Sequence, residues 1–151
     1  MRFNTKVRYG IRAMLEISLA DQERGVFQKD IAEHQEISFK YLDPIISSLK
    51  GAGLIINVSG KKSGYRLTRR PEEITMLDVF LAFEHGIRVN DCVNADFDCS
   101  RKKLCAVYGF WVGLNDLVID YFKSCTLADL QNSQKALANA ISSLADDDDT
   151  N

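Results

Sequence analysis

The chain has 151 residues, 46% of them hydrophobic and 26% charged, with only 2 prolines and 9 glycines, which is enough apolar material for one packed domain and excludes disordered, collagenous and low-complexity classes. No apolar run approaches the roughly 18 residues of a membrane span, and Arg8, Arg12 and Glu16 interrupt the stretch where a signal peptide would be uniformly apolar, so a cytoplasmic protein without a membrane partner is expected. The net charge of −2 conceals a division: residues 1–70 hold 13 Lys and Arg against 7 Asp and Glu, a net of +6, and residues 71–151 hold 6 against 14, a net of −8.

Residues 5–20 lack proline and place Val7, Ile11, Met14 and Leu15 on one face and Tyr9, Ala13, Ile17 and Ala20 on another, predicting a helix buried on more than one side. A turn over 21–25 precedes a short helix over 28–35. Ser38 then stands where it can cap a third helix, whose stripe is Leu42, Ile45, Ile46 and Leu49. Pro44 leaves two options: a helix from Ser38 carrying an internal proline, or a start at Asp43 with Pro44 in the first position. Residues 54–58 and 65–67 are strand-like, and the glycine-bounded loop 59–64 between them predicts a β-hairpin. Thr75 can cap a fourth helix containing Leu77, Phe80, Leu81 and Glu84, closed by Gly86.

Residues 87–105 lack a period. The last long helix carries the strongest one: Val107, Phe110, Trp111, Leu114, Leu117, Val118, Tyr121 and Phe122 recur at threes and fours, the pattern of a helix that packs against another helix. A second copy of the chain is the expected partner, the alternative being a core helix folded back on its own domain. Residues 131–151 end in Asp146 to Asp149 and are expected to form a mobile acidic tail.

Two short helices, a tight turn and a basic hairpin make a winged helix-turn-helix, so the fold class expected is mainly α with a small β-hairpin, plus a long dimerisation helix. Ser38, Lys40, Tyr41 and Ser48 lie off the apolar stripe of the third helix, where they can reach base edges. Ser59, Lys61, Lys62, Ser63 and Arg66 belong to the hairpin, where they can meet phosphates or a minor groove, with Arg69 and Arg70 near its base. The domain division that follows is 1–86 for DNA binding, 87–105 for a cysteine loop, 106–130 for the dimerisation helix and the segment after it, and 131–151 for the tail.

Cys92, Cys99 and Cys105 are close in sequence, whereas Cys125 lies twenty residues farther on, about 30 Å along a helix, and is expected to pack in the interior. Three thiols of a cytoplasmic protein point to metal or thiol chemistry rather than a disulfide framework. Their spacing is too wide for paired CxxC zinc ligands, and it leaves open an iron-sulfur cluster, zinc or reduced thiols without metal. An enzyme is not expected, because GxGxxG, Walker and GxSxG motifs are absent and no histidine adjoins a cysteine.

The opening RFNTKVRYGIRAMLEISL, the segment KDIAEHQEISFKYLDPIISSLKGAGLI, the hairpin GKKSGYRLTR, the cysteine loop and the trailing residues 126–130 resemble, in the same order, the bacterial winged-helix Rrf-type regulators that include IscR, NsrR and CymR. The resemblance implies a homodimeric transcription factor on a double-stranded DNA operator, with an iron-sulfur cluster, [2Fe-2S] or [4Fe-4S], held by Cys92, Cys99 and Cys105. It also implies an alternative, a metal-free regulator controlled by thiol oxidation or by a protein partner. The chain departs from the family at Ser59, where an arginine is usual, at Lys61 to Ser63 in the tip, and at Tyr108, where one branch has a histidine.

Overall fold

A computed structural model describes residues 3–59 and 63–148, with side chains to residue 144. The elements in chain order are α1 (Thr5–Leu19), α2 (Gln28–His34), α3 (Phe39–Gly51), β1 (Ile55–Asn57), β2 (Tyr65–Leu67), α4 (Met76–Leu81), α5 (Ala106–Ser124) and α6 (Leu127–Asp148). Single 3₁₀ turns lie at Pro71–Glu73, Asp91–Val93 and Lys102–Leu104.

The reading head forms around one core. Ala13, Met14 and Ile17 of α1, Ile31 of α2, Leu42, Ile45 and Leu49 of α3, and Leu54 and Ile55 at the hairpin are all essentially inaccessible, so the helix-turn-helix and the hairpin share a common apolar centre. Of the two options for α3, the structure shows the first. The Ser38 hydroxyl accepts from the Tyr41 amide at 3.2 Å and Pro44 lies inside the helix. That proline gives up one backbone bond, and the buried stripe on both sides of it carries the helix past the loss.

The hairpin is antiparallel, with Ile55 opposite Leu67, Ile56 opposite Arg66 and Asn57 opposite Tyr65. Val26 joins it through a reciprocal bridge with Tyr65, at 3.0 and 2.8 Å. Gly64 is required where these backbones cross, since a Cβ there would stand 2.7 Å from the Gly25 carbonyl carbon and the Val26 nitrogen. Gly10 serves α1 in the same way, as a Cβ on it would lie 2.3 Å from the Phe83 ring.

The C-terminal segment returns to the head. The Leu127 amide donates to the Ile74 carbonyl and the Met76 amide to the Cys125 carbonyl, both at 2.8 Å, which places Leu127, 0% exposed, in the head's core. Thr75 with Asp78 and Thr126 with Asp129 form matching caps, each threonine hydroxyl accepting from a backbone amide three residues on. Residues 131–148, read from the sequence as a tail, continue α6 as a helix. They contain no proline or glycine, and Leu137, Ile141 and Leu144 recur at helical spacing along it.

Candidate nucleic-acid interface

Ser38, Lys40 and Tyr41 are exposed at the N-terminal end of α3. Phe39, unremarked in the sequence, is 55% exposed beside them. The buried stripe holds α3 on the core from the opposite side, so its polar side and N-terminus face outward, the presentation a major-groove reading helix needs.

The hairpin is tied to α3 by a relay that periodicity does not reveal. Lys50 Nζ donates to Asn57 Oδ1 at 2.8 Å, and Asn57 Nδ2 donates to the Ser63 carbonyl at 3.2 Å. Ser63 Oγ in turn accepts from the Ser59 amide at 2.9 Å. Ser59 and Ser63 therefore bracket the base of the tip, and Arg66 is exposed on β2. Lys61 and Lys62 lie outside the described residues. The Tyr65 hydroxyl meets Gln28 Oε1 at 3.4 Å, and Gln28 Nε2 donates to Asp43 at 3.3 Å, which joins α2, α3 and β2 around one polar groove. Arg69 and Arg70, read from the sequence as able to meet phosphates, are exposed and also lie beside the chain's own acids. Arg69 lies 3.8 Å from Asp78 and donates to the Glu73 carbonyl, and Arg70 lies 3.3 Å from Glu73.

The cysteine loop leaves α4 and enters α5. Its backbone is folded by local turns: the Cys92 amide donates to Asn90 Oδ1, the Lys102 amide to the Cys99 carbonyl and the Tyr108 amide to the Cys105 carbonyl, each at 3.0 to 3.1 Å. Asn115, a buried polar residue on α5, accepts from the Val89 amide at 3.0 Å and anchors the start of the loop. Cys92, Cys99 and Cys105 are free thiols, each half-buried. Three soft donors in a segment held by one-turn bonds suit iron-sulfur ligation in donor type. The structure does not gather them, and among the described residues no three His, Cys, Asp or Glu side chains converge on a metal position. Tyr108 lies with its ring 5.1 Å from Lys102 Nζ. Cys125 packs against the head's core, and burial, reinforced by Asp129, pushes its thiol pKa up.

The sequence stripe of α5 divides into two faces. Val118 and Phe122 turn inward, packing with Val7, Phe80 and Ile87. Val107, Phe110, Leu114, Leu117 and Tyr121 are 54, 63, 36, 69 and 69% exposed, and they recur at alternating threes and fours, the spacing that apolar residues take along the seams of paired helices.

Comparison with known proteins agrees with this arrangement. The family model Rrf2, described as an iron-dependent transcriptional regulator, matches residues 3–133. The HTH-type transcriptional regulator IscR of Photorhabdus laumondii is 33% identical over 137 residues, covering 91% of this chain and 83% of the relative. That of Vibrio cholerae is also 33% identical, covering 91% and 79%. Among solved structures, CymR, the global cysteine regulator of B. subtilis, superposes with a TM-score of 0.71 at 29% identity, covering 88% of this chain and 98% of that one. IscR of T. potens superposes with a TM-score of 0.69 at 30% identity, covering 89% and 88%. No helix among the described residues is long and apolar enough to cross a membrane. The chain belongs to the Rrf2 family of DNA-binding transcriptional regulators, not enzymes.

Proposed function

We propose that the protein is a cytoplasmic homodimeric regulator whose operator affinity is set by the state of its cysteine loop. The α5 seam of one protomer pairs with that of its partner. Each head then reads one half-site, with Ser38, Lys40 and Tyr41 in the major groove and Ser59, Lys61, Lys62, Ser63 and Arg66 along the wing. Cys92, Cys99 and Cys105 hold an iron-sulfur cluster, [2Fe-2S] or [4Fe-4S]. Such a group supplies a site that oxygen, nitric oxide or iron scarcity can dismantle. Arg101, Lys102 and Lys103, between the second and third cysteines, offset the negative charge of thiolate ligation.

The observation that carries the reading is the bond from the Val89 amide to Asn115. It couples the loop to the same helix that bears the exposed seam, so an ordered loop and a disordered one bias the placement of the two heads differently. Half-sites on one face of B-form DNA lie about 34 Å apart per helical turn, and small changes in head placement lower affinity. Titration of a selected operator with protein isolated without oxygen, before and after iron chelation, tests it. Affinity should change on chelation, and Cys99→Ala protein should behave as the chelated form from the start. Equal affinity in all three states would refute the coupling.

A second reading is favoured by the free, ungathered thiols and by the likeness to CymR. In it the loop is metal-free and responds to thiol oxidation or to a protein partner. Peroxide followed by a thiol reductant would then switch operator binding in iron-free protein.

A further inference from the structure

The turn between α2 and α3 is gripped from α1. Glu36 in that turn adopts φ 52°, the left-handed conformation that a residue with a side chain holds only when its surroundings impose it. The surroundings are concentrated on Gln35. Arg12 Nε donates to Gln35 Oε1 at 3.0 Å, and Arg12 Nη2 donates to the Gln35 carbonyl oxygen. Gln35 Nε2 donates to Glu16 Oε2 at 2.8 Å. Both ends of the Gln35 side chain and its carbonyl are therefore held by two residues one turn apart on α1.

Arg12 also reaches toward α3. Its guanidinium carbon lies 5.5 Å from the centroid of the Tyr9 ring. Tyr9 in turn meets Tyr41 edge to face, with centroids 5.5 Å apart and planes at 87°. The buried residues of α1 are Val7, Gly10, Ala13, Met14, Ile17 and Ser18. Arg12 is exposed and outside that set, so the contacts it makes are additional to those that fold the head.

We infer that Arg12 is a positioning residue for operator recognition. It fixes the orientation of α3 by pinning the turn at Gln35 and by holding Tyr9 against Tyr41. A forked guanidinium is needed, because a lysine ammonium cannot hold both Gln35 acceptors and stack on Tyr9 in one geometry. The inference rests on the reading of Tyr41 as a residue of the DNA-facing end of α3.

A double-mutant cycle tests it, using full-length protein, an operator selected from random duplexes and fluorescence anisotropy. Arg12→Ala should weaken operator binding about tenfold and binding to an unrelated duplex by no more than about twofold. Arg12→Lys should fail to restore the operator affinity. In a Tyr41→Ala background, Arg12→Ala should cost less than about twofold, because the group it orients is gone. If Arg12→Ala melts early, Gln35→Ala, which removes the side-chain acceptor and leaves Arg12 in place, completes the same cycle. The same factor in both backgrounds, or equal losses on operator and unrelated duplex, would overturn the role of Arg12 and leave the DNA face intact. Unchanged operator affinity in Tyr41→Ala alone would overturn both.

Discussion

At the scale of single residues, the head is held by polar bonds that cross between elements, Lys50 of α3 donating to Asn57 of β1 and the Val89 amide to Asn115 of α5. Ser38 is legible as a cap because serine before an apolar stripe has one common use, and its hydroxyl does accept from the Tyr41 amide. Lys50, Asn57 and Asn115 are not, because the first two are joined by a bond between α3 and the hairpin and the third by a contact across 26 residues. His34 belongs to the same group. Its Nδ1 lies 2.6 Å from Glu16 Oε1, and that hydrogen bond, then the charge of Glu16, with Glu33 and Asp30 adding to it, raises its pKa above the ordinary 6.5. A folded-state pKa raised above the unfolded value means that the ion pair's stabilisation is fully present below about pH 6.5 and is lost as pH rises through the folded-state value. The pair is exposed, so the effect is small. The thermal midpoint should decline slightly from about pH 6 to about pH 8, and His34→Ala should remove that decline. An identical slope in the variant would assign it to other groups.

At the scale of elements, helices and the hairpin follow from local periodicity, and so α1, α2, α3 and the strand pair stand close to where the sequence puts them, whereas α4 ends at Leu81 and leaves Glu84, expected within it, beyond its C-terminus. What local pattern does not reveal is which partner each face meets. The stripe of α5 reads as one surface in the sequence because 3.6-residue periodicity cannot separate two adjacent apolar faces, whereas in the structure Val118 and Phe122 turn inward and Phe110, Leu117 and Tyr121 outward. Leu127 is the clearest case of a tertiary decision. It follows a cysteine and a threonine with no apolar run to announce it, yet it is fully buried and bonded to Ile74 across 53 residues. Truncating it should open a cavity at the joint of head and α6. Leu127→Ala should cost about 2–5 kcal/mol by denaturant unfolding, against less than about 0.5 kcal/mol for Leu137→Ala, whose side chain is 59% exposed. Comparable losses would mean that α6 is not docked as described.

For the whole molecule, the division of charge is the first indication of partners and remains a coherent one. The +6 of residues 1–70 coincides with the segment that folds into the helix-turn-helix and hairpin, and the −8 with the cysteine loop, α5 and α6. Arg69 and Arg70 each lie beside an acid, Asp78 and Glu73, while Lys40 and Arg66 are exposed on α3 and β2. The exposed apolar stripe of α5 is the surface on which the proposed dimer rests. Leu117→Asp should place a charge in that stripe and yield a monomer by sedimentation, with operator affinity reduced by more than about a hundredfold because two half-sites are no longer engaged together. A variant that stays dimeric would move the interface elsewhere. Iron and acid-labile sulfide, measured on protein isolated without oxygen, report on the cysteine loop between these two surfaces. Both should be present in the wild-type protein, giving a coloured solution, and should be lost in Cys92→Ala, Cys99→Ala and Cys105→Ala. Iron-free, colourless protein that binds its operator at full affinity would contradict the proposed iron-sulfur role of these cysteines.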